Sequence, residues 1–597
     1  MAVSRTIPTQ ANPDLLTFTI KIEGEALSRE YHIGTISVHK EINKIPVANI
    51  KIYDGNPSEE TFTASNSDLF IPGKNIEIFL GYHSQETTVF KGIIVTHSNR
   101  VTSSSSELNI ECKDAAVKMT IGRNSKHYNA VTDSDVAEEL IGKYAGVTAD
   151  VESTSIQHKD LVQYDTTDWD FVVSRMDGIG NICLVSDGTF TIKKPALSED
   201  AKLDVLFGAT ILDYHADIDS RNQYKAVKAS AWNFTDQELT EVDAAEPSWT
   251  EGGDISNTTL ADTIGLKNYK LIHSGKITQE ELQAWADAKL MKNRLAKIRG
   301  TVKYQGNTDV LPGDFIGLNG VGNRFTGKAI AASVHHECRD GVWTTEVNFG
   351  MAPEWFAETV QVKNPLTQKG LIPSLQGLQV GIVTSLEDPD GDNRVQVKIP
   401  VISNSEEGIW ARVATLDAGN ERGSFFLPEV GDEVIIGCIN NDPSHVVILG
   451  MMNSSAKPAP LTAANANNEK GYVSREKIKM IFNDDEKSFK LETPGGNKIT
   501  LSDQDGLIKI EDQNGNKVTM EAAGITIESA SALKLKAAAD LTIEAVNVTI
   551  SPSSSFSVSA GGAEIKAGSG SASLKAPTVK VEGSGMAEIK GGLVKIN

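Results

Sequence analysis

The sequence predicts a mainly β, multidomain protein whose C-terminal stretch, 489–597, is a triple-stranded β-helix intertwined in a homotrimer. Three observations carry this. The chain has 597 residues, well beyond a single core. Aromatic residues make up only 6% while glycines number 50, a balance that suits extended, turn-rich backbone. From Phe489 onward, apolar residues recur as i, i+2 pairs separated by Gly, Ser, Asn, Lys and Glu.

Over about 14–122 apolar and polar residues alternate in short runs: Phe18, Ile20 and Ile22, then Ile76, Ile78 and Leu80. Asp54-Gly55-Asn56-Pro57 and Pro72-Gly73 punctuate these runs as turns, the pattern of short strands. Over 123–205 the period changes. The spacing predicts a helix over 133–144, with Asp133 or Ser134 as N-cap and Val136, Leu140 and Ile141 on one face. A second helix is expected over 169–176 and a hairpin over 183–192. Strands resume over 206–350, interrupted by a helix over 278–297 in which Thr278 and Glu281 have capping-box spacing. Residues 1–360 thus read as two sets of strands with an α/β insertion between them.

Residues 361–374 read as a linker. Residues 375–452 hold short strands such as Val395-Gln-Val397-Lys-Ile399 and Val434-Ile-Ile436, a unit of the size of a small OB-fold barrel. The stretch 453–488, rich at first in Ala, Asn and Pro, reads as a neck.

The repeat begins after the neck. Its pairs are Phe489/Leu491, Ile499/Leu501, Ile508/Ile510, Val518/Met520, Ile525/Ile527, Leu533/Leu535 and Leu541/Ile543. They continue as Val548/Ile550, Phe556/Val558, Ala563/Ile565, Ala572/Leu574, Val579/Val581, Ala587/Ile589 and Val594/Ile596. Steps are nine or ten residues at first and then settle to seven, eight or nine. Each repeat is one short strand with two inward side chains, too little to bury alone. A single-chain solenoid needs three such faces per turn, and these repeats do not group in threes. Three chains wound together solve the problem: every layer takes one strand from each chain, and the pairs from Ile508 to Ile589 point at a shared axis. Backbone ladders then run between chains, and no long edge stays open. Fourteen layers make a needle about 65 Å long. A disordered tail is the alternative reading, but disorder does not hold an apolar register over this distance.

The formal net charge of −22 argues against nucleic acid, whose phosphates are bound mainly by Lys and Arg. In a trimer it becomes −66, three times −22, which favours solubility. Cys112, Cys183, Cys338 and Cys438 stand far apart with no CxxC, as expected of buried thiols in a reducing compartment. The N-terminal residues have no apolar h-region, and no run is long enough to span a membrane as a helix. Cytoplasmic assembly without a signal peptide is the expectation, with release by some other route.

Further motifs point to a family. Glu387-Asp-Pro-Asp-Gly391, Arg394-Val-Gln-Val-Lys-Ile-Pro400 and Trp410-Ala-Arg-Val413 are succeeded by Phe426-Leu-Pro-Glu-Val-Gly-Asp-Glu-Val434 and Asn441-Asp-Pro-Ser-His-Val-Val-Ile-Leu-Gly450. In this order, just before a repeat, they resemble the valine-glycine repeat (VgrG) spike proteins of contractile injection systems and the central spike of contractile phage tails. Thr493-Pro-Gly-Gly-Asn497 is similar to that family's entry into its needle. Tyr164 to Phe171 with Arg175 and Gly180 is similar to its hub insertion, and Leu311-Pro-Gly-Asp-Phe315 with 327–335 to its second hub barrel. The resemblance implies a phage-hub-like double β-barrel and a trimeric hub on an inner tube of hexameric rings, among other baseplate components. It also implies a PAAR-repeat tip protein docked at the needle end, here Val594, Lys595, Ile596 and Asn597.

Patterns that could carry chemistry read as structure instead. Gly322 to Lys328 satisfies GxxxxGK, but Ala329 replaces the Ser or Thr that would hold Mg²⁺, and a strand comes next where a helix should. In His335-His336-Glu337-Cys338, strand alternation lets at most two ligands converge. Asp388, Asp390 and Asp392 lack the later bidentate Glu of a calcium loop and read as a solvated turn. No histidine occurs after His445. Phage spikes that cut peptidoglycan carry a lysozyme domain between barrel and needle, and 453–488 is too short for one. The expectation is therefore a mechanical spike with no catalytic, cofactor-binding or metal-binding residues, carrying effectors only through partners. The rival readings are a peptidoglycan-degrading phage spike and a trimeric adhesin or fibre.

Overall fold

The structure, a computed structural model, describes residues 7–8, 15–233, 236–274, 277–359, 367–368, 372–373, 375–403, 408–559, 561–562, 566 and 570–596. The linker expected over 361–374 therefore lies almost wholly outside the described residues, as do the Ala563/Ile565 pair and Asn597. The chain divides into two compact units, Met1–Met452 and Asn453–Asn597.

The first unit is built on a thirteen-stranded sheet. One lobe comprises Leu16–Ile22, His32–Glu41, Val47–Tyr53, Asn75–Tyr82, Gln85–Val101 and Ser106–Lys113, and the other Ile211–Ile218, Ile298–Gln305, Phe315–Asn319, Gly327–Arg339 and Val342–Phe349. Alternation drives both. Ile20, Ile36, Ile50, Ile78 and Ile110 turn into one core, and Val302, Tyr304, Ile316, Val334 and Val347 into a second. The lobes are joined where His32–Glu41 pairs antiparallel with Gly327–Arg339, His39 opposite His335.

The insertion over 123–205 packs two helices, α1 (Asp133–Ile141) and α2 (Asp168–Gly178), against the hairpin Ile182–Ser186/Thr189–Lys193. Val136, Leu140 and Ile141 face this core as expected. The N-cap of α1, however, is Thr132, which forms a reciprocal capping box with Asp135. Asp133 and Ser134 are themselves buried. A second insertion was not foreseen. Glu238–Asp243, Val227–Asn233 and Tyr269–His273 form a three-stranded sheet covered by α4 (Gln279–Leu295); α3 (Asn257–Ile264) precedes its last strand.

Strands Leu378–Ser385, Val395–Lys398, Ile409–Val413, Val446–Met451 and Glu433–Cys438 close, in that order, into a barrel around Val383, Val395, Val397, Ala411, Val434 and Ile436.

The second unit opens with a seven-stranded antiparallel meander: Glu469–Val473, Lys479–Asn483, Ser488–Glu492, Lys498–Ser502, Leu507–Glu511, Lys517–Glu521 and Gly524–Glu528. Two of its strands lie in the stretch read as a neck. Their alternation was hidden by the unbroken run Met480-Ile481-Phe482. The ladders between Phe489 and Ile527 also run within one chain, strand to next strand. This corrects the expectation that the ladders run between chains from Phe489 onward. Among the described residues beyond Glu528 no strand is formed within the chain.

Candidate functional site

The feature that calls for a partner is the apolar face of the second unit. In the meander, direct cross-strand pairing aligns Leu491, Ile499, Ile510, Val518 and Ile527 in one column and Phe489, Leu501, Ile508, Met520 and Ile525 in another. These side chains are only partly covered; Ile508 is 43% and Ile525 69% exposed. Past Glu528 exposure persists with no sheet beneath it. Leu533, Leu535, Leu541, Ile543, Val548 and Ile550 are all exposed, as are Val579, Val581 and Ile589. So large a set of exposed apolar side chains in one register marks an interface. Of the positions assigned to tip docking, Val594 and Ile596 are exposed apolar residues flanking exposed Lys595.

The opposite face of the meander is polar and electrically ordered. At one end of successive strands stand Lys479, Glu492, Lys498, Glu511, Lys517 and Glu528, each directly opposite the next. Sign alternates at every rung, with ion pairs such as Lys517–Glu528 at 2.8 Å and Lys498–Glu492 at 3.6 Å. The turns beside this ladder are stitched together. Asn497 Oδ1 accepts from Gln513 N at 3.1 Å, and Asn516 Oδ1 accepts from Ala530 N at 2.9 Å.

In the first unit, the residues behind the family resemblance form a buried polar frame. The Asp168 carboxylate, fully buried at the start of α2, accepts from Gln163 Nε2 at 2.7 Å, Asn124 Nδ2 at 2.8 Å and the Tyr144 hydroxyl at 2.8 Å. Burial first, and then that bond to Asp168, push the Tyr144 phenol up to about 12. Arg175 Nε donates to buried Asp133 at 2.8 Å, and its NH2 group reaches Glu281 at 3.3 Å. This explains two departures from the sequence reading. Asp133 cannot cap α1 because it serves Arg175. At α4, Thr278 accepts from the Glu281 amide, but the Glu281 carboxylate turns to Arg175. Lys292 and Asp177 form a buried pair at 2.6 Å, and Asp177 also accepts from Phe356 N at 2.9 Å. Gly180 has φ +83°, and a Cβ there would lie 3.2 Å from that of Ala288, so α4 packs where only glycine fits.

The patterns weighed for chemistry take structural roles. Residues 323–325 form a turn into the strand Gly327–Arg339, and Lys328 Nζ donates to the carbonyl of Leu197 at 2.9 Å. His336 is buried against Thr345 Oγ1 at 3.0 Å, and that burial lowers its pKa to about 3. On the other face, His335 meets Ser37 Oγ at 2.9 Å. Burial pushes the Cys112 and Cys183 thiols well up and that of Cys338 to about 11. In the turn of three aspartates Asp390 and Asp392 are solvated, as expected, but the Asp388 side chain is only 3% exposed and takes Arg394 in a bidentate pair, with bonds of 2.7 and 3.0 Å. The Arg394 guanidinium, helped by three backbone amides, holds the Asp388 carboxyl well below the usual range. The sequence signal was Arg394 itself, six residues on. Among the described residues no group of three or more His, Cys, Asp or Glu is placed to hold a metal ion, and no helix is long and apolar enough to cross a membrane.

Three stretches of the chain match known families. Residues 12–340, more than half of the chain, match the family described as the Alg8 N-terminal domain. Residues 379–452 match the type VI secretion system/phage-baseplate injector OB domain, and residues 488–553 the phage baseplate V C-terminal trimerisation domain. The type VI secretion system spike protein VgrG3 of Vibrio cholerae serotype O1 is 37% identical over 75 residues, 12% of this chain and 7% of that protein. The chain thus aligns with less than a tenth of the length of that curated relative. Among solved structures, a 43 kDa tail protein of prophage MuSo2 from Shewanella oneidensis has a TM-score of 0.44 at 10% identity, covering 57% of this chain and 98% of that one. The Francisella PdpA–VgrG complex in its lidded form has a TM-score of 0.36 at 10% identity, covering 86% of this chain and 80% of that one.

The mainly β fold thus carries, in chain order, a closed barrel that matches the type VI secretion system/phage-baseplate injector OB domain and a segment that matches the phage baseplate V C-terminal trimerisation domain. The chain belongs to the Alg8 N-terminal domain family.

Proposed function

We propose that the protein is a homotrimeric spike that seats on the inner tube of a contractile injection machine and punctures a target membrane when the machine contracts. Residues 1–360 serve as hub, 375–452 as barrel and 489–597 as needle, with 361–374 and 453–488 between them. One observation carries the reading. Leu533, Leu535, Leu541, Ile543, Val548 and Ile550 lie mostly open to solvent inside a segment that matches a trimerisation domain. Burying one such side chain is worth about 2 kcal/mol, so the row stays uncovered only until other chains supply its partners. The axial residues are Ile508, Ile510, Val518, Ile525, Ile527, Leu533, Leu535, Leu541, Ile543, Val548, Ile550, Val579, Val581 and Ile589. Val594 to Asn597 receive a PAAR-repeat tip protein, and the hub meets hexameric tube rings and other baseplate components.

The role is mechanical rather than enzymatic. What supports this is that buried ionisable groups of the first unit are engaged in packing: Asp133 with Arg175, Asp177 with Lys292, Asp388 with Arg394 and His336 with Thr345. Assembly takes place in the cytoplasm, and the spike leaves inside the particle, with effectors on its partners. The test is light scattering on the purified full chain. A mass three times 64.2 kDa is expected, and a monomer would refute the spike.

A further inference from the structure

A cavity of about 430 Å³ lies in the first unit between α4 and the insertion over 123–205. One wall is α4, whose first turns present Glu280, Gln283, Ala284 and Asp287 at i, i+3, i+4 and i+7, a single helix face. The other is 152–156, which follows the strand Thr148–Val151, together with Ile179 and Asn181 just past α2. The cavity has a surplus of hydrogen-bond acceptors. Asn181 is 3% exposed; its Nδ2 turns to Met176 Sδ at 3.6 Å, while its Oδ1 accepts from no group among the described residues. Asp287 accepts from Ala245 N at 2.7 Å and Gln283 Nε2 at 2.8 Å, both on Oδ1, which leaves Oδ2. Glu152 accepts from Lys194 N at 3.0 Å on Oε2, which leaves Oε1. Glu280 is exposed and forms no ion pair among the described residues. Lys194 is the one cation in the lining, and its exposed ammonium pairs with none of these carboxylates.

We infer that this cavity binds an aliphatic cation, an ammonium or guanidinium on a short methylene stem, carried by a free amine or by a lysine or arginine side chain of another protein. Such a head is all donor and no acceptor, the complement of a wall whose spare groups are all acceptors. It would also give Asn181 Oδ1 the donor that its burial calls for. Ile156 and Ile179, both half-buried, offer the stem an apolar flank. A metal ion fits less well, since among the described residues no group of three or more His, Cys, Asp or Glu is placed to hold one. An anion would meet three carboxylates against one ammonium. Every lining residue belongs to the first unit, so the inference does not depend on how the second unit assembles.

Calorimetric titration of the full chain tests this, at physiological salt so that the general attraction of a chain of net charge −22 is screened. The probes are agmatine, whose butyl stem carries an ammonium and a guanidinium, and the blocked peptide acetyl-Gly-Arg-Gly-amide. Both should bind, agmatine the more tightly if a free amine is the source and the peptide the more tightly if a protein side chain is. Glu280→Gln should weaken binding about five- to tenfold, and Asn181→Leu, which keeps the volume and removes the acceptor, by a similar factor. Lys194→Gln should tighten it about two- to threefold by removing a like charge. Should Asn181→Leu not fold, Glu280→Gln decides, because its position is exposed. Binding that Glu280→Gln leaves unchanged would be attraction to the surface at large and would overturn the site, as would no binding of either probe at millimolar concentration.

Discussion

Residues 469–528 and 529–596 carry the same alternation of apolar and polar residues, yet among the described residues only the first stretch builds a sheet from its own chain. The difference lies in the turns. In the meander every reversal includes a residue with positive φ: Lys477, Lys487, Gly496, Gly506, Gly515 and Gly524. These let a strand double back beside its predecessor within a few residues. Past Gly524 no described residue has positive φ. Links such as Ser529-Ala-Ser-Ala532 and Ala537-Ala-Ala539 offer no tight reversal, and the step shortens from nine or ten residues towards eight. Alternation decides which side chains are apolar together; turn chemistry decides whether a strand finds its ladder partner in the same chain.

The sharpest way to break the comparison is a charge in each stretch. Ile543→Asp places three carboxylates on one axis where every ladder is expected to come from other chains, at a cost on the order of 5 kcal/mol per trimer. Light scattering should show loss of the trimer. Val518→Asp should lower the melting temperature less, because its strand keeps in-chain ladders on both sides. Equal losses would mean that the two stretches share one interchain architecture.

A smaller effect is expected at the boundary. Asn516 ties the last hairpin turn to the segment beyond Glu528 by accepting from Ser529 Oγ at 3.0 Å and Ala530 N at 2.9 Å. Asn516→Ala removes both bonds, about 1–2 kcal/mol, and hydrogen exchange should rise at 524–530 while Asp503 to Glu511 stays protected. The same side chain and its backbone amide pull Asp512 down to about 2. Because the folded value is depressed, this contribution is present above the ordinary carboxylate pKa and is lost as pH falls through about 2. In Asn516→Ala that acid-sensitive part should shrink, which a denaturant midpoint tracked between pH 4 and 2 would register.

The same physics sets how much of the molecule is legible in its sequence. Strand periodicity reveals the mainly β class, the barrel strands and the apolar pairs, since period-2 alternation survives in any sheet. The helix face Val136, Leu140 and Ile141 is legible for the analogous reason. The true cap of α1 is not, because Asp133 is drawn away by Arg175, a partner 42 residues distant. The sheet of the second insertion escapes notice because Tyr269–His273 joins it in parallel, across an intervening helix. Solvation of Asp390 and Asp392 is legible, but the covering of Asp388 is not, because three aspartates look alike until Arg394 is seen to fold back on the first. The end of in-chain pairing at Glu528 leaves a trace in the shortening step, but a change of step alone does not say that the ladder stops there.

The smallest expected effect tests whether the meander's register has a second guarantor besides its turns. Glu511 stands between Lys498 and Lys517, so Glu511→Lys sets three like charges on adjacent strands. Exposed pairs of this kind contribute little, and the melting temperature should fall by about 1–3 °C at low salt. In ~1 M salt, where the screening length is roughly 3 Å, the difference should vanish. Inverting the whole ladder (K479E, E492K, K498E, E511K, K517E and E528K) restores alternation and should recover the loss. Recovery would show that the order of signs matters rather than any one residue. A single reversal that is neutral at low salt would leave the turns alone in setting the register, which is the simpler account of why the described residues past Glu528, lacking such turns, make no sheet of their own.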